Sequence, residues 1–193
     1  MKKINKYQNI DFVIMLDEID STQTLAKEII KRKKILEFGK TLIIAKKQTA
    51  GRGQNNNRWS SNDGGLYFSY VFSISEKNFK KVIELSLRFA EVIKKILEEY
   101  KIDCVIKYPN DVYAKIGDEY KKVSGILIET IPLLDKRYVI VGVGVNFTNK
   151  IDDEFRDKAV TIYEITGKRY SKKKFLEKFF KLSNEIINDL VVI

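Results

Sequence analysis

Residues 138–147 read Tyr138-Val139-Ile140-Val141-Gly142-Val143-Gly144-Val145-Asn146-Phe147. Period-two alternation sets Val139, Val141, Val143, Val145 and Phe147 on one face of a strand. The other face carries Ile140, Gly142, Gly144 and Asn146 and is nearly bare. Glycine weakens a strand unless something must come close, so this face either hosts a ligand with Asn146 at its edge or receives a tightly packed helix. Two more Val/Ile-rich runs lie upstream, Cys104 to Lys107 and Lys121 to Thr130. Short polar links at Lys115 to Glu119 and Leu134 to Lys136 predict antiparallel hairpins.

Farther out, Leu66 to Ile74 alternates apolar and polar positions as a half-buried strand does, and Asp11 to Ile19 and Thr41 to Ala45 read as two further strands. A first helix, capped by Ser21 or Asp20, runs to about Ile35 on an apolar stripe of Leu25, Ile29 and Ile30. A long second helix spans Phe79 to Tyr100, and Ser171 caps a last one that buries Phe175, Leu176, Phe179 and Phe180. Strands in runs, mixed with helices rather than strictly alternating with them, predict an α+β fold with a mixed, mostly antiparallel sheet packed with helices. With 193 residues, 44% of them hydrophobic, and no repeat or linker, residues 1–193 are expected to form a single domain.

The chain has no histidine, which excludes a Ser-His-Asp triad, a Cys-His dyad and any His-ligated metal. Catalysis must use Lys, Arg, carboxylates or backbone. The single cysteine, Cys104, cannot form an internal disulfide and reads as a buried structural thiol, consistent with a reducing cytoplasm. Acidic Asp11, Asp17 and Glu18 follow the basic Met1-Lys2-Lys3 before any signal-peptide core can form, and no apolar run is long enough to span a bilayer. The net charge is +10, and seven basic residues against one acid between Lys168 and Lys181 supply much of it. A lysine-rich surface is first of all a solvated face. Nucleic-acid binding or the steering of an acidic protein partner are the functional readings of that charge.

Three further stretches can carry chemistry. Gln48-Thr49-Ala50-Gly51-Arg52-Gly53-Gln54-Asn55-Asn56-Asn57-Arg58-Trp59 follows a strand with a glycine-rich polar loop, in which amides and Arg52 can meet an anion and Trp59 can stack. It has neither the Walker arrangement nor a full dinucleotide fingerprint. In Lys107-Tyr108-Pro109-Asn110-Asp111 the ordinary reading is an Asx turn; the functional one directs Asp111 to magnesium or ribose, Asn110 to phosphate or base and Lys107 to a charge. Lys121 to Glu129 contains Lys122 and an interior Gly125, which strict alternation sets on opposite faces. A bulge, a bend or the reach of the lysine would be needed to bring both to one ligand.

Taken in order, Asp20-Ser21-Thr22, Gln48 to Trp59, Lys107 to Asp111, Lys122 to Glu129 and Val141 to Phe147 resemble the catalytic domain of biotin protein ligases, from about Phe12 to the end of the chain. The resemblance implies an enzyme that joins biotin to ATP with Mg2+, forming biotinoyl-adenylate, and then passes biotin to one lysine of a biotin carboxyl carrier protein. It implies biotin contacts from Ser21, Thr22, Gln48, Gly51, Arg52, Lys122, Gly125, Gly142 and Gly144. It implies nucleotide contacts from Arg52, Gly53, Trp59, Lys107, Asn110, Asp111 and Asn146. Lys122, bridging carboxylate and α-phosphate, and Arg52 would be the catalytic cations, and Asp111 would lie by the magnesium-nucleotide region. The loop from Gly51 to Gly65 is expected to move and close over ligand.

The chain departs from the pattern in several places. Gln54 and Asn57 stand where the family usually has arginines, which implies a less firmly held adenylate. Too few residues precede Asp11 for a helix-turn-helix, so no specific DNA is expected, and the usual small C-terminal β-barrel is expected to be absent. Family members are often dimers, a property on which the sequence carries no local signal. A lipoate protein ligase is the neighbouring enzyme reading, a nucleic-acid-binding module using the basic C-terminal helix is the reading from another class, and a degenerate, inactive relative is the third.

Overall fold

A computed structural model describes residues 9–190; Met1-Lys2-Lys3 and the expectation attached to it lie outside the described residues, as do residues 191–193. Among the described residues, seven strands form one sheet: β1 (Phe12–Ile19), β2 (Thr41–Gln48), β3 (Leu66–Ile74), β4 (Cys104–Lys107), β5 (Asp111–Ile116), β6 (Glu119–Leu133) and β7 (Lys136–Val145). Their order across the sheet is β1-β2-β3-β7-β6-β5-β4. Only β1 and β2 pair in parallel; the other neighbours are antiparallel, so the sheet is mixed and mostly antiparallel as expected.

A parallel pair needs a crossover rather than a hairpin, and α1 (Thr22–Lys31) with the short α2 (Ile35–Phe38) supplies it. Ser21 caps α1, its side chain accepting hydrogen bonds from the Gln23 and Thr24 amides. The helix stops at Lys31 rather than near Ile35 because Lys33 takes a positive φ of 58°, which breaks the helical path. The expected long second helix divides in two. Residues Glu76–Glu84 are 3-10 helix and α3 proper is Leu85–Glu99. Phe79, Val82 and Leu85 recur every three residues, the period of a 3-10 turn, whereas Leu85, Phe89, Val92, Ile93 and Ile96 follow the α-helical stripe.

The chain closes with α4 (Ile162–Thr166), held by a reciprocal capping box between Thr161 and Glu164, and α5 (Lys172–Asn188), capped by Ser171 as expected. Helices α3 and α5 cover one face of the sheet; Phe89, Phe179 and Phe180 pack there with Phe68, Val139, Val141 and Val143. Helix α1 covers the other face through Ala26, Ile29 and Ile30 against Ile43, Val71 and Ile140. Strand β3 is therefore buried along nearly its whole length, not half-buried, because both of its faces meet helices. The packed-helix reading of the glycine face of β7 holds at Gly142. Gly142 meets Gln23 of α1, while Gly144 meets the Trp59 indole.

Strand β5 is an addition to the reading of the sequence. The Lys107 to Asp111 turn is correctly a turn, with a cis peptide before Pro109, but Asp111 already opens β5 and pairs with Gly125 of β6. No helix among the described residues is long and apolar enough to cross a membrane.

Candidate active site

Between Val112 and Tyr113 of β5 the pairing with β6 slips: Val112 faces Ser124, but Tyr113 faces Lys122. The extra residue, Val123, makes a bulge. A one-residue slip reverses every subsequent side chain, so Lys122 and Gly125 come to the same face. A methyl at Gly125 would stand 2.9 Å from the Trp59 ring, 3.0 Å from Lys122 Cε and 3.2 Å from Asp111 Oδ1. The bulge is held at both ends. The Asn146 amide donates to the Val123 carbonyl at 2.9 Å, and the Lys122 backbone pairs with Lys158 O and the Val160 amide.

The Lys122 ammonium lies 2.8 Å from Asp111 Oδ2 and 5.1 Å from the centre of the Trp59 ring. Asp111 Oδ1 and the Trp59 indole N–H are buried without a hydrogen-bond partner. Lys122 and Trp59 border two cavities at once. The first, about 460 Å³ of empty space partly open to solvent, runs from them past Gly125, Gly142 and Gly144 to the start of α1. The second, about 910 Å³, is lined by Asn146, Tyr113, Phe155, Arg58 and Lys158 beyond the indole.

The far end of the first cavity is a polar cluster. The Thr22 amide donates to Gln48 Oε1 at 2.8 Å, Gln48 Nε2 donates to Ser61 Oγ at 2.8 Å, and Ser69 Oγ lies 2.9 Å from both Thr22 Oγ1 and Gln23 Oε1. Ser21, Thr22, Gln23 and Ser69 are all buried. Gln23 and Ser69 were not singled out from the sequence. A serine in the middle of a strand whose other residues, Ser73 apart, are aromatic or aliphatic was the available signal for Ser69.

The other expected residues divide. Arg52 and Gly53 line the first cavity, and so do Asn110 and Asp111. Asn110, however, spends its amide on Ile126 O at 2.9 Å. Gly51 lies behind the cavity, where it admits the Trp59 carbonyl and Ser61; a methyl there would be 2.4 Å from that carbonyl. Asn146 borders the second cavity, with its side-chain oxygen accepting from Asn149 at 3.2 Å. Lys107 lines neither cavity: it is exposed at the end of β4, and its ammonium lies 5.4 Å from the centre of the Tyr113 ring, which borders the second one.

The glycine loop folds back on itself through a bridge between Arg52 and Arg58, with a 3-10 turn at Gln54–Asn56. Arg58 pairs with Asp152 at 3.1 Å and Glu154 at 2.8 Å, and Asn62 Nδ2 donates to Asp152 at 2.7 Å. The Asn62 amide, helped by Ser60 and Arg58, holds the Asp152 carboxyl below the usual carboxylate range against the opposing effect of burial. Cys104 is buried and unpaired, and burial pushes its thiol up to about 12, so it is inert as read. Among the described residues no three Asp, Glu, Cys or His side chains converge to hold a metal ion.

Comparison with known proteins agrees with this geometry. Residues 15–146 match the Biotin/lipoate A/B protein ligase family. A bifunctional ligase/repressor of Bacillus subtilis is 34% identical over 163 residues, covering 81% of this chain and 48% of that protein. A biotin–protein ligase of Schizosaccharomyces pombe is 31% identical over 154 residues, 71% of this chain and 24% of that one. The chain thus spans half or less of these relatives. A biotin protein ligase from Aquifex aeolicus, solved with biotin and ATP, is 38% identical, covers 92% of this chain and 70% of its own, and superposes with a TM-score of 0.70.

Proposed function

Because the chain belongs to the biotin/lipoate A/B protein ligase family, we propose that it is a biotin protein ligase whose first cavity takes biotin and whose second takes the nucleotide. The observation that carries this is the position of Lys122, brought by the Val123 bulge to the border of both cavities. Carboxylate attack on a phosphate brings two anions together, and a fixed cation at their meeting point stabilises the charge of the transition state.

In the first step a biotin carboxylate oxygen attacks the α-phosphorus of ATP. An O–P bond forms, the bond to the β-phosphate oxygen breaks, and pyrophosphate leaves. Lys122 and Arg52 would take the growing charge, and holding the two substrates in adjoining cavities supplies the positioning. The buried Ser21, Thr22, Gln23 and Ser69, with the half-buried Gln48, would bind the polar end of biotin, with Gly142 and Gly144 leaving room for its rings. In the second step the neutral amine of a carrier lysine attacks the acyl carbon, the C–O bond to phosphate breaks, and AMP leaves. Asp111, within the site, would receive the amine proton.

Among the described residues no cluster of acidic or cysteine side chains could hold a metal, and magnesium would arrive on the triphosphate, where it neutralises phosphate charge and Asp111 would offer it a single oxygen. The partner in this reading is a biotin carboxyl carrier protein, and a surface rich in lysine around α5 suits an acidic one. Pyrophosphate exchange into ATP, run with biotin, with lipoate and with neither acid, tests the assignment. Biotin-dependent exchange is expected; exchange with lipoate alone, or none with either acid, would refute it.

A further inference from the structure

We propose that Glu129 is a positioning residue for Arg52, and that Lys27 is the second counterion that lets Arg52 change partners during the reaction. The inference rests on the ligase reading above. Glu129 Oε1 accepts from the Lys27 ammonium at 2.6 Å and lies 3.6 Å from Arg52 Nη2. Its other oxygen, Oε2, is buried with no hydrogen-bond partner. Three separate elements meet at this one carboxylate: Lys27 comes from α1, Arg52 from the glycine loop and Glu129 from β6.

The two contacts are unequal. Lys27 makes a short hydrogen bond, whereas Arg52 is held at a distance that orients it without a full bond. Arg52 borders the first cavity, where a carboxylate and an α-phosphate would meet. When an anion enters, Arg52 can exchange its long contact for a short, forked one. That exchange would be costly if it left Glu129 alone, since an uncompensated, largely buried charge is strongly destabilising. Lys27 removes that cost by staying paired with the carboxylate. Without Lys27 both oxygens of Glu129, including the unpartnered one, would be available to the planar Arg52 fork, and the loop would be tethered to β6.

This makes a sign-reversing prediction. Lys27→Met should raise the KM for biotin in pyrophosphate exchange roughly tenfold, the worth of one charge-assisted hydrogen bond. Glu129→Gln should lower kcat while leaving that KM within about twofold, because Arg52 is then free but no longer oriented. The double variant Lys27→Met/Glu129→Gln should recover the KM lost in Lys27→Met, since the tether is gone. Hydrogen exchange of the amides of residues 51–58 gives a reading independent of activity: slower than the parent in Lys27→Met, faster in Glu129→Gln.

Additive losses in the double variant, or loop exchange indistinguishable among the four proteins, would overturn the inference while the ligase reading stood. If the parent protein shows no biotin-dependent exchange, the ligase reading fails instead, and the loop amides alone decide whether the tether exists.

Discussion

A methyl group added at Gly144 would stand 2.4 Å from Trp59 Cε2 and 2.5 Å from Nε1. Carbon atoms pack best at roughly 3.5–4.0 Å, so Gly144→Ala requires a displacement of more than about 1 Å. Either β7 or the indole must give way. Strand β7 is hydrogen-bonded on both sides, to β3 and to β6, and moving it would disturb the middle of the sheet. Trp59 is on a loop, and its N–H has no hydrogen bond to lose. The indole yields. What is forfeited is the cation–π contact with Lys122, about 0.5–2 kcal/mol depending on desolvation, which is no more than the ~1–3 kcal/mol of straining a packed core. For a domain of this size that lowers Tm by only a few degrees, at roughly 2–4 °C per kcal/mol.

The expected signature of Gly144→Ala is therefore a nearly normal melting curve with a displaced tryptophan. Trp59 is the only tryptophan in the chain, so its emission reports its position directly. The emission should shift to the red. Biotin-dependent pyrophosphate exchange should fall at least about tenfold, since a shift near 1 Å in a positioning group can cost that much or more. An unchanged emission spectrum together with parental exchange would refute the reasoning. A large drop in Tm with an unshifted spectrum would show that the strand yields instead.

Other substitutions and conditions test separate parts of the site. Lys122→Ala should depress pyrophosphate exchange by about a hundredfold or more while biotin binding, followed by calorimetry, weakens far less; near-normal exchange would remove Lys122 from the chemistry. Gln54→Arg, with or without Asn57→Arg, restores a forked cation to the loop and should reduce biotin labelling of a bystander protein relative to carrier labelling; bystander labelling undetectable in the parent would sink the idea of a loosely held adenylate. The Asp152 carboxyl has a folded pKa below its unfolded value of about 4, so its contribution is complete above that value and is lost as pH falls through the lowered one. Acidification should accordingly weaken the attachment of Arg58 and Asn62 to Asp152, and Asp152→Asn should flatten that part of the stability-versus-pH curve. An unflattened acid limb in Asp152→Asn would show that other carboxylates govern it.

The elements legible in the sequence were those with one dominant periodicity. Strands β3 and β7 and helix α5 carry unbroken patterns of two or 3.6, and their bounds came out close to the structure. Strand β5 was missed because it is only six residues long and has Asp111 and Lys115 within it, next to a proline turn that drew the reading of the whole segment. The 3-10 segment before α3 was taken as α-helix because a period of three cannot be told from 3.6 over so few residues. At the site, Lys122, Gly125, Arg52, Gly53, Trp59 and Asp111 were recognisable in sequence and converge in space. Lys107, singled out with its neighbours in the motif, lines neither cavity and comes near the second one only over the Tyr113 ring. Gln23, Ser69 and Lys27 belong to no local motif, and Glu129 ends one in which it was given no role; their meeting becomes visible only when α1 is laid across β3 and β6.

The bulge at Val123 explains why the site could be recognised but not built from sequence. Counting alternate residues from Gly125 puts Lys122 on the face that packs against α3, where Val123 and Ile126 are buried. A lysine there would carry an unpaired charge into an aliphatic core, a strongly unfavourable arrangement. A chain with regular pairing would therefore have to place something apolar at position 122 and would lose the cation. One extra residue resolves the conflict, provided the backbone groups it frees are satisfied. The Val123 carbonyl takes the Asn146 amide, and beside it the Ser124 side chain donates from Oγ to the Gly144 carbonyl at 2.8 Å. The same Asn146 and Gly144 border the two cavities, so the residues that line the site also stabilise the irregularity that puts Lys122 into it.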